Sequence, residues 1–164
     1  MRHQGKLVFF CGKMAAGKST LARRLAQQQD AILLVQDELL GTLFADTIVD
    51  IPGFIEYSSR LKAAIAPHLC ALLAKDLVVV LDFPGNTRRQ RAWFRDLIDR
   101  TNAEHELHYI DVADELCKRQ LRQRSEGLPE GSAFTSDAEF DAITQYFDPP
   151  SPEENFNIIL HRRN

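Results

Sequence analysis

The sequence has few cysteines and no long apolar run, and each shortage excludes a class of protein. Its three cysteines, Cys11, Cys70 and Cys117, lie far apart and form no Cys-x-x-Cys pair, so we expect buried free thiols rather than disulfides or a zinc site. No apolar stretch approaches the roughly 18 residues that a membrane-spanning helix needs. The short apolar run near the N-terminus leads into a glycine-rich loop, which is typical of a strand rather than a signal peptide. We therefore expect a cytoplasmic protein without a membrane anchor.

An excess of positive charge is also missing. The 164 residues carry a net charge of −3 with a pI of about 5.9, which argues against extended nucleic-acid binding. The five histidines show no metal-ligand spacing. The composition is 45% hydrophobic and 26% charged, which is ordinary for a globular protein. We expect residues 1–164 to form a single domain, present as a monomer or weak dimer.

The most informative segment is the glycine-rich run from Gly12 to Ser19, which fits the P-loop pattern G-x-x-x-x-G-K-S/T. An apolar strand candidate precedes it and a helical pattern follows, so backbone N–H groups and the positive end of a helix would point at one anion. We expect Lys18 to reach the β- and γ-phosphates of ATP, and the Ser19 hydroxyl to hold Mg²⁺. The residues expected to bind the nucleotide are Gly12, Lys13, Met14, Ala15, Ala16, Gly17, Lys18, Ser19 and Thr20.

Apolar strand candidates alternate with helical patterns along the chain, which predicts an α/β fold with a parallel sheet. The five candidates are residues 6–11, 31–35, 77–82, 106–111 and 156–161. The helix after the third strand is predicted to begin with a capping box of Thr87 and Gln90. Another helical pattern covers residues 57–74, where Pro67 is expected to kink or divide the helix.

Two aspartates follow neighbouring strand candidates and are expected to lie beside the P-loop, because ligands of parallel sheets bind at the carboxyl ends of the strands. Asp82 ends an apolar strand and is expected to position Mg²⁺ or its water; the alternative is a cap near Asn86 and Thr87. Asp37 is expected to orient an acceptor hydroxyl or to take its proton. Its alternative role is the N-cap of the following helix.

Two sequence features that are typical of P-loop hydrolases are missing. Phe83, rather than glutamate, follows Asp82, so the carboxylate that activates water in many P-loop ATPases is not there. No Asn-Lys-x-Asp guanine-recognition motif occurs in the sequence. Both observations favour transfer to a small acceptor over hydrolysis.

Two basic clusters are candidates for charge neutralisation. The first contains Lys118, Arg119, Arg122 and Arg124. Phosphoryl transfer needs positive groups near the moving phosphoryl, and the glycines that follow favour a mobile lid over about 118–136; the alternative is a solvated helix face. A second mobile region is expected at about 38–58, near the acceptor. The second cluster, Arg88, Arg89 and Arg91, contains one candidate contact to the acceptor.

These motifs make the chain resemble the P-loop kinases of the nucleoside-monophosphate-kinase group. It looks most like the bacterial AAA_33-type ATP-binding proteins, a group similar to zeta toxins, polynucleotide 5′-kinases, gluconate kinases and chloramphenicol phosphotransferase. The resemblance is carried by the P-loop, Asp37, residues 81–87 and the arginines of 119–124. It implies a three-layer α/β/α P-loop fold with a five-stranded parallel sheet of order 2-3-1-4-5. It also implies an acceptor-activating role for Asp37 and a lid role for Arg119, Arg122 or Arg124.

The sequence therefore predicts a kinase that uses ATP and Mg²⁺ to phosphorylate a hydroxyl of a small molecule or nucleotide. Two alternatives stay open at this point. One is a nucleotide-binding regulatory protein with little turnover. The other is a polynucleotide 5′-kinase, which needs a basic track leading to Asp37.

Overall fold

A computed structural model describes residues 5–129 and 135–163, which form a five-stranded parallel sheet surrounded by helices. The strands are β1 (Lys6–Cys11), β2 (Ile32–Val35), β3 (Val78–Asp82), β4 (Glu104–Val112) and β5 (Ile158–Arg163). The helices are α1 (Lys18–Gln28), α2 (Gln36–Phe44), α3 (Ile51–Ala74), α4 (Arg88–Thr101), α5 (Asp114–Arg124) and α6 (Asp137–Thr144), with a short 3₁₀ helix over Pro152–Glu154. The strand order β2-β3-β1-β4-β5 confirms the predicted topology.

Strand β1 lies at the centre of the sheet and divides the core into two layers. Its side chains alternate between the two faces, as the pleat of a strand requires. Leu7, Phe9 and Cys11 pack with buried residues of α3 and α4, whereas Val8 and Phe10 pack with residues of α1, α5 and α6. Helices therefore cover both faces, which is the three-layer α/β/α arrangement. In the part of the chain that the structure describes, no helix is long and apolar enough to cross a membrane.

Helix α3 is longer than the sequence indicated and is not divided. It begins at Ile51, where the Asp50 side chain accepts a hydrogen bond of 2.8 Å from the backbone N–H of Gly53. Pro52 fits in this first turn, because an N–H there has no helical partner to lose. Pro67 lies inside the helix. Its neighbours Ala66 and Leu69 are buried in the core, and this packing outweighs the lost backbone hydrogen bond. The structure therefore excludes the predicted division at Pro67, while the alternative, a kink, stays a prediction.

The start of α4 is held by a variant of the predicted capping box. The Thr87 hydroxyl accepts a hydrogen bond from the N–H of Gln90 at 3.1 Å, as expected. The Gln90 side chain, however, accepts from the N–H of Asn86 at 2.8 Å rather than from Thr87. The reciprocal bond therefore fixes the loop between β3 and α4, one residue before the helix cap.

Parallel pairing brings the site-bearing segments to one edge of the sheet. β1 pairs with β3 and β4, and β2 pairs with β3. Val35, the last residue of β2, lies opposite Asp82, the last residue of β3. Because both strands run the same way as β1, the segments that begin at Gly12, Gln36 and Phe83 leave the sheet at the same edge.

Candidate active site

The loop between β1 and α1 has the backbone that a phosphate-binding loop requires. Gly17 adopts φ 108°, a left-handed conformation that glycine reaches without strain, and it is the N-cap residue of α1. A Cβ on Gly12 would lie 3.2 Å from the backbone oxygen of Ile110, so the loop passes tightly over β4. The N–H of Ala16 donates to the oxygen of Lys13 at 3.1 Å and closes a turn. The first turn of α1 leaves N–H groups without helical partners, which suits an anion.

Lys18 is folded back over this loop. Its Nζ donates a hydrogen bond of 3.0 Å to the backbone oxygen of Gly12. Burial lowers the pKa of Lys18, while the carboxylates of Asp82 and Asp37 act in the opposite direction. The ammonium group is therefore held at the loop and within the field of both aspartates.

Ser19 and Asp82 form a direct contact at the same edge. The Ser19 hydroxyl donates a hydrogen bond of 2.7 Å to Oδ2 of Asp82. Asp82 does not cap the next helix, since Thr87 is the N-cap residue of α4; the capping alternative was wrong. A hydroxyl and a carboxylate are oxygen ligands of the kind that Mg²⁺ takes together with substrate phosphates. The described residues contain no group of three or more His, Cys, Asp or Glu side chains able to hold a metal by themselves.

Asp37 lies in the first turn of α2 and is accessible to solvent. Val35 is the N-cap residue of this helix, and among the residues that the structure describes no side chain caps it, so the alternative role of Asp37 as N-cap was wrong. The pKa of Asp37 is raised, chiefly because surrounding protein removes part of its water and secondly because Asp82 is negative. Lys18 and Arg124 act in the opposite direction. A raised pKa makes this carboxylate a better proton acceptor.

The three candidate arginines of α5 point to different places. Arg124 is close enough to act on the pKa of both Lys18 and Asp37. Arg122 lies 3.9 Å from the carboxylate of Asp137 on α6. Arg119 is exposed and, within residues 5–129 and 135–163, forms no ion pair. Of the three, Arg124 is the one whose charge acts on Lys18 and Asp37, and the solvated-face alternative describes Arg119.

A second contact joins α5 to α6 beside Arg122. Lys118 lies 3.0 Å from Asp141, so this cation also faces α6 rather than the cleft. Residues 130–134 of the expected lid lie outside the described residues.

Within the P-loop, the side chains of the nucleotide-binding candidates diverge. Lys13 pairs with Asp114 at the start of α5 and lies 5.4 Å above the ring centre of Phe147. Met14 and Ala15 pack against the core layer of α1, α5 and α6. Ala16 is buried there. These four residues therefore offer backbone groups, rather than side chains, to a ligand in the loop. Thr20, in the first turn of α1, is exposed.

Asn86 is a P-loop contact that sequence reasoning missed. Its side-chain oxygen accepts a hydrogen bond of 2.8 Å from the N–H of Gly12, and its backbone oxygen accepts one of 2.8 Å from the N–H of Asp148. Asn86 therefore links the first P-loop glycine to the segment that follows α6. Its position shortly after Asp82 is the one feature of the sequence that could have indicated this contact.

Arg91, a candidate acceptor contact, is a buried structural residue instead. Its side chain is fully buried and its Nε lies 2.7 Å from Oε1 of Glu154. It also donates to the backbone oxygens of Gly85 at 2.9 Å and Asp148 at 2.7 Å. The signal was present in the sequence: Arg91 stands three residues before Phe94, on the apolar face of α4. An arginine there faces the core, not a substrate.

The cysteines agree with the expectation of free thiols. Cys11 and Cys117 are buried and Cys70 is half-buried, all three unbridged. Burial raises the pKa of the Cys11 thiol to about 11, although the charges of Arg91 and Lys18 oppose the shift. Cys11 therefore stays protonated at neutral pH and is not a nucleophile.

One polar residue beside the cleft lacks partners. Gln36, directly before Asp37, is 1% exposed, and within the described residues neither its amide nitrogen nor its amide oxygen has a hydrogen-bond partner. Buried amides are normally paired. Its position as the first residue of α2, directly after β2, makes it a candidate for contact with a bound molecule.

The sheet order and the glycine loop together define a P-loop kinase fold. Residues 7–150 match the AAA_33 family, an AAA domain. The chain belongs to this family, which confirms the resemblance found in the sequence. A comparison with curated proteins gives no significant sequence match.

Solved structures agree on the fold. A Chloroflexus aurantiacus protein superposes with a TM-score of 0.76 at 15% identity, over 98% of this chain and 89% of the other. The Mycobacterium tuberculosis APS kinase CysC, in complex with AMPPNP and APS, superposes with a TM-score of 0.60 at 23% identity, over 99% of this chain and 92% of the other. A gluconokinase from Sinorhizobium meliloti superposes with a TM-score of 0.61 at 13% identity, over 100% of this chain and 86% of the other. At these identities the likeness shows the shared fold.

Proposed function

We propose that this chain is a kinase that transfers the γ-phosphoryl group of ATP to a hydroxyl of a small molecule or nucleotide, with Mg²⁺ as cofactor. The observation that carries the proposal is the 2.7 Å hydrogen bond that holds Asp82 against Ser19 of the P-loop, with Asp37 following the neighbouring strand β2 at the same edge of the sheet. The charges of both carboxylates also raise the pKa of Lys18. Metal positioning in a P-loop protein needs one of them. The second is available for an acceptor.

Residues 12–20 would cradle the phosphates of ATP. The N–H groups at the start of α1 would donate to phosphate oxygens, and Lys18 would exchange its bond with Gly12 for charge-assisted bonds to the β- and γ-phosphates. The tether from Asn86 to Gly12 keeps the loop in shape without blocking it. The match of the chain's fold to kinases, one of them solved with AMPPNP, supports ATP as the nucleotide.

Ser19 and Asp82 fit Mg²⁺. Their hydroxyl and carboxylate oxygens lie 2.7 Å apart and belong to two rigid elements, α1 and β3. When bound, the metal ion would neutralise charge on the β- and γ-phosphates and hold their oxygens in a fixed orientation. Asp82 would orient the ion or its water, and Ser19 would supply its hydroxyl.

Asp37 would act on the acceptor. The acceptor oxygen forms a bond to the γ-phosphorus as the bond from that phosphorus to the β,γ-bridging oxygen breaks, and ADP leaves. The acceptor proton passes to the carboxylate of Asp37, whose raised pKa suits this role. Arg124, which acts on the pKa of both Asp37 and Lys18, would stabilise the moving phosphoryl from the α5 side.

The proposal is tested by a screen of hydroxyl acceptors with γ-labelled ATP, alongside calorimetry of nucleotide binding. Lys18→Ala removes a charge-assisted phosphate contact and is expected to lower Mg-ATP affinity about tenfold or more. Lys75→Ala, which removes an exposed lysine at the end of α3, is the matched control and is expected to bind ATP like the wild type. Equal affinity in Lys18→Ala contradicts the assignment of Lys18. Tight ATP binding without label in any acceptor favours the regulatory alternative.

A further inference from the structure

Gly12, the first glycine of the P-loop, is held by two side chains from different parts of the chain. Its backbone N–H donates a hydrogen bond of 2.8 Å to the side-chain oxygen of Asn86. Its backbone oxygen accepts a hydrogen bond of 3.0 Å from Nζ of Lys18. Because glycine has more backbone freedom than any other residue, these two bonds fix how the chain turns from β1 into the loop.

The two bonds to Gly12 differ in whether they fit the phosphate-bound state. Lys18 would leave the Gly12 oxygen in order to make charge-assisted bonds to the β- and γ-phosphates. The N–H of Gly12 would then be the group through which a side chain still holds this glycine. A peptide that is free to rotate can turn a carbonyl oxygen toward the loop, where it would repel phosphate oxygens. The bond to Asn86 opposes that rotation.

Asn86 is itself fixed through its backbone. Its N–H donates a hydrogen bond of 2.8 Å to the side-chain oxygen of Gln90 on α4. Its backbone oxygen accepts one of 2.8 Å from the N–H of Asp148. A Cβ on the preceding residue, Gly85, would overlap the backbone oxygen of Phe10, so this loop lies directly against β1. Asn86 therefore reaches the P-loop from a support that is held on three sides.

The segment that supports Asn86 touches the P-loop a second time. Phe147, directly before Asp148, places its ring centre 5.4 Å from Nζ of Lys13. The backbone oxygen of Asp148 accepts a hydrogen bond of 2.7 Å from Arg91, whose side chain is fully buried. Asn86 thus lies where three parts of the chain meet: the P-loop, the start of α4 and the segment after α6.

The chemistry of an amide suits this place. The side-chain oxygen of asparagine accepts an N–H without carrying a charge. A carboxylate would accept the same N–H more strongly, but it would add negative charge beside a loop that binds phosphates. A tether that served stability alone would have no reason to avoid that charge.

We propose that Asn86 is a positioning residue for nucleotide binding, which holds Gly12 in place while Lys18 moves from the Gly12 oxygen to the phosphates. Asn86 acts through Gly12 and does not itself contact the nucleotide. The inference rests on the proposed function for the movement of Lys18, whereas the role in holding the loop does not depend on transfer to an acceptor.

The first measurement uses the wild-type protein and needs no variant. Residue-resolved hydrogen exchange by NMR follows the Gly12 amide in free protein and in protein saturated with Mg-AMPPNP. We expect slow exchange in both states, because the bond to Asn86 persists when Lys18 turns to the phosphates. Fast exchange of this amide in the Mg-AMPPNP complex would overturn the proposal, since Asn86 would then have released the loop.

The second measurement compares two substitutions of Asn86 by exchange and calorimetry. Asn86→Ala is expected to speed exchange at Gly12 and to weaken Mg-AMPPNP binding, each roughly three- to tenfold. The affinity for magnesium tripolyphosphate is expected to fall by the same factor, because Gly12 acts at the phosphates. Asn86→Asp keeps an acceptor oxygen and is expected to restore slow exchange. Its Mg-AMPPNP affinity is expected to fall through charge repulsion and to recover in part at high ionic strength.

Asn157→Ala is the matched control. The side-chain nitrogen of Asn157 donates a hydrogen bond of 3.2 Å to the backbone oxygen of His105, so this substitution also removes one side-chain bond to the backbone. Asn157 lies directly before β5 and His105 lies near the start of β4, at the opposite edge of the sheet from the P-loop. We expect this variant to bind Mg-AMPPNP and tripolyphosphate like the wild type.

Unchanged affinity for both ligands in folded Asn86→Ala would also overturn the positioning role, and Asn86 would then serve stability alone. Thermal melting of each variant establishes that it is folded at the temperature of the titration. A different result would count against the proposed kinase function and leave the role of Asn86 standing. That result is loss of Mg-AMPPNP affinity in Asn86→Ala together with a wild-type protein that labels no acceptor.

Discussion

Ser19 and Asp82, 63 residues apart in the sequence, are joined by a hydrogen bond of 2.7 Å between the serine hydroxyl and the aspartate carboxylate. The bond connects the first turn of α1 with the last residue of β3. It fixes the two oxygens of the proposed Mg²⁺ site relative to the phosphate loop. A preorganised pair of this kind lowers the cost of assembling a metal site around a nucleotide.

Asp82→Asn is expected to raise the Mg²⁺ concentration needed for half-maximal ATP binding by about 10–100-fold. The amide keeps the shape of the side chain and removes the charge that orients the ion and its water. The measurement is ATP affinity against Mg²⁺ concentration. Asp96→Asn, which alters an exposed residue paired with Arg100, serves as the control. An unchanged Mg²⁺ dependence in Asp82→Asn shows that this aspartate does not position the metal.

Arg91→Met is expected to lower the free energy of unfolding by about 3–5 kcal/mol, because it leaves Glu154 without its buried partner. The variant also removes the donors that satisfy the oxygens of Gly85 and Asp148. Urea denaturation measures the loss. Arg100→Met, which breaks only an exposed pair within α4, is expected to cost less than about 1 kcal/mol. Equal losses in the two variants contradict the structural role of Arg91.

The pair of Arg91 and Glu154 also makes the stability of the protein depend on pH. Burial raises the pKa of Glu154, but hydrogen bonds from Arg91 and Ser151 outweigh it, and the net pKa lies below the ordinary value of 4.5. The unfolded chain therefore binds this proton first as pH falls, so the stability that Glu154 contributes is present above pH 4.5 and lost below it. Arg91→Met is expected to lose less stability on acidification than the wild type. If acidification lowers the free energy of unfolding equally in the two proteins, Arg91 and Glu154 are not coupled in this way.

Arg124→Gln is expected to slow phosphoryl transfer about a hundredfold, because Arg124 is the arginine of α5 whose charge acts on the pKa of both Lys18 and Asp37. Arg119→Gln is the matched control on the same helix, and its rate is expected to stay near that of the wild type. Initial rates at saturating Mg-ATP separate the two variants. A larger loss in Arg119→Gln than in Arg124→Gln means that α5 adopts another orientation during transfer.

Much of the fold was open to prediction because its signals are local or topological. The P-loop pattern covers eight successive residues, and apolar runs mark the strands. The rule that parallel strands end at one edge was enough to expect Asp37 and Asp82 near the loop. The strand order itself came from the resemblance to P-loop kinases.

The direction of individual side chains was not open to prediction. Arg119, Arg122 and Arg124 look equivalent in the sequence, and what separates them is the packing of α6, which supplies Asp137 to Arg122. Arg91 and Glu154 are 63 residues apart, so no local pattern links them. The local signal of Pro67 left a kink or a division open, and α3 is not divided, with core contacts on both sides of Pro67.

The most direct test of the kinase account is the initial rate of transfer from γ-labelled ATP in Asp37→Asn, measured on the acceptor that the screen identifies. The variant keeps the size of the side chain and removes its ability to take a proton, so the rate is expected to fall by about 10²–10⁴. Mg-ATP affinity by calorimetry is expected to stay at the wild-type value, because the phosphates bind to other residues. Transfer at the wild-type rate in this folded variant would contradict the account, since Asp37 would then have no part in activating the acceptor.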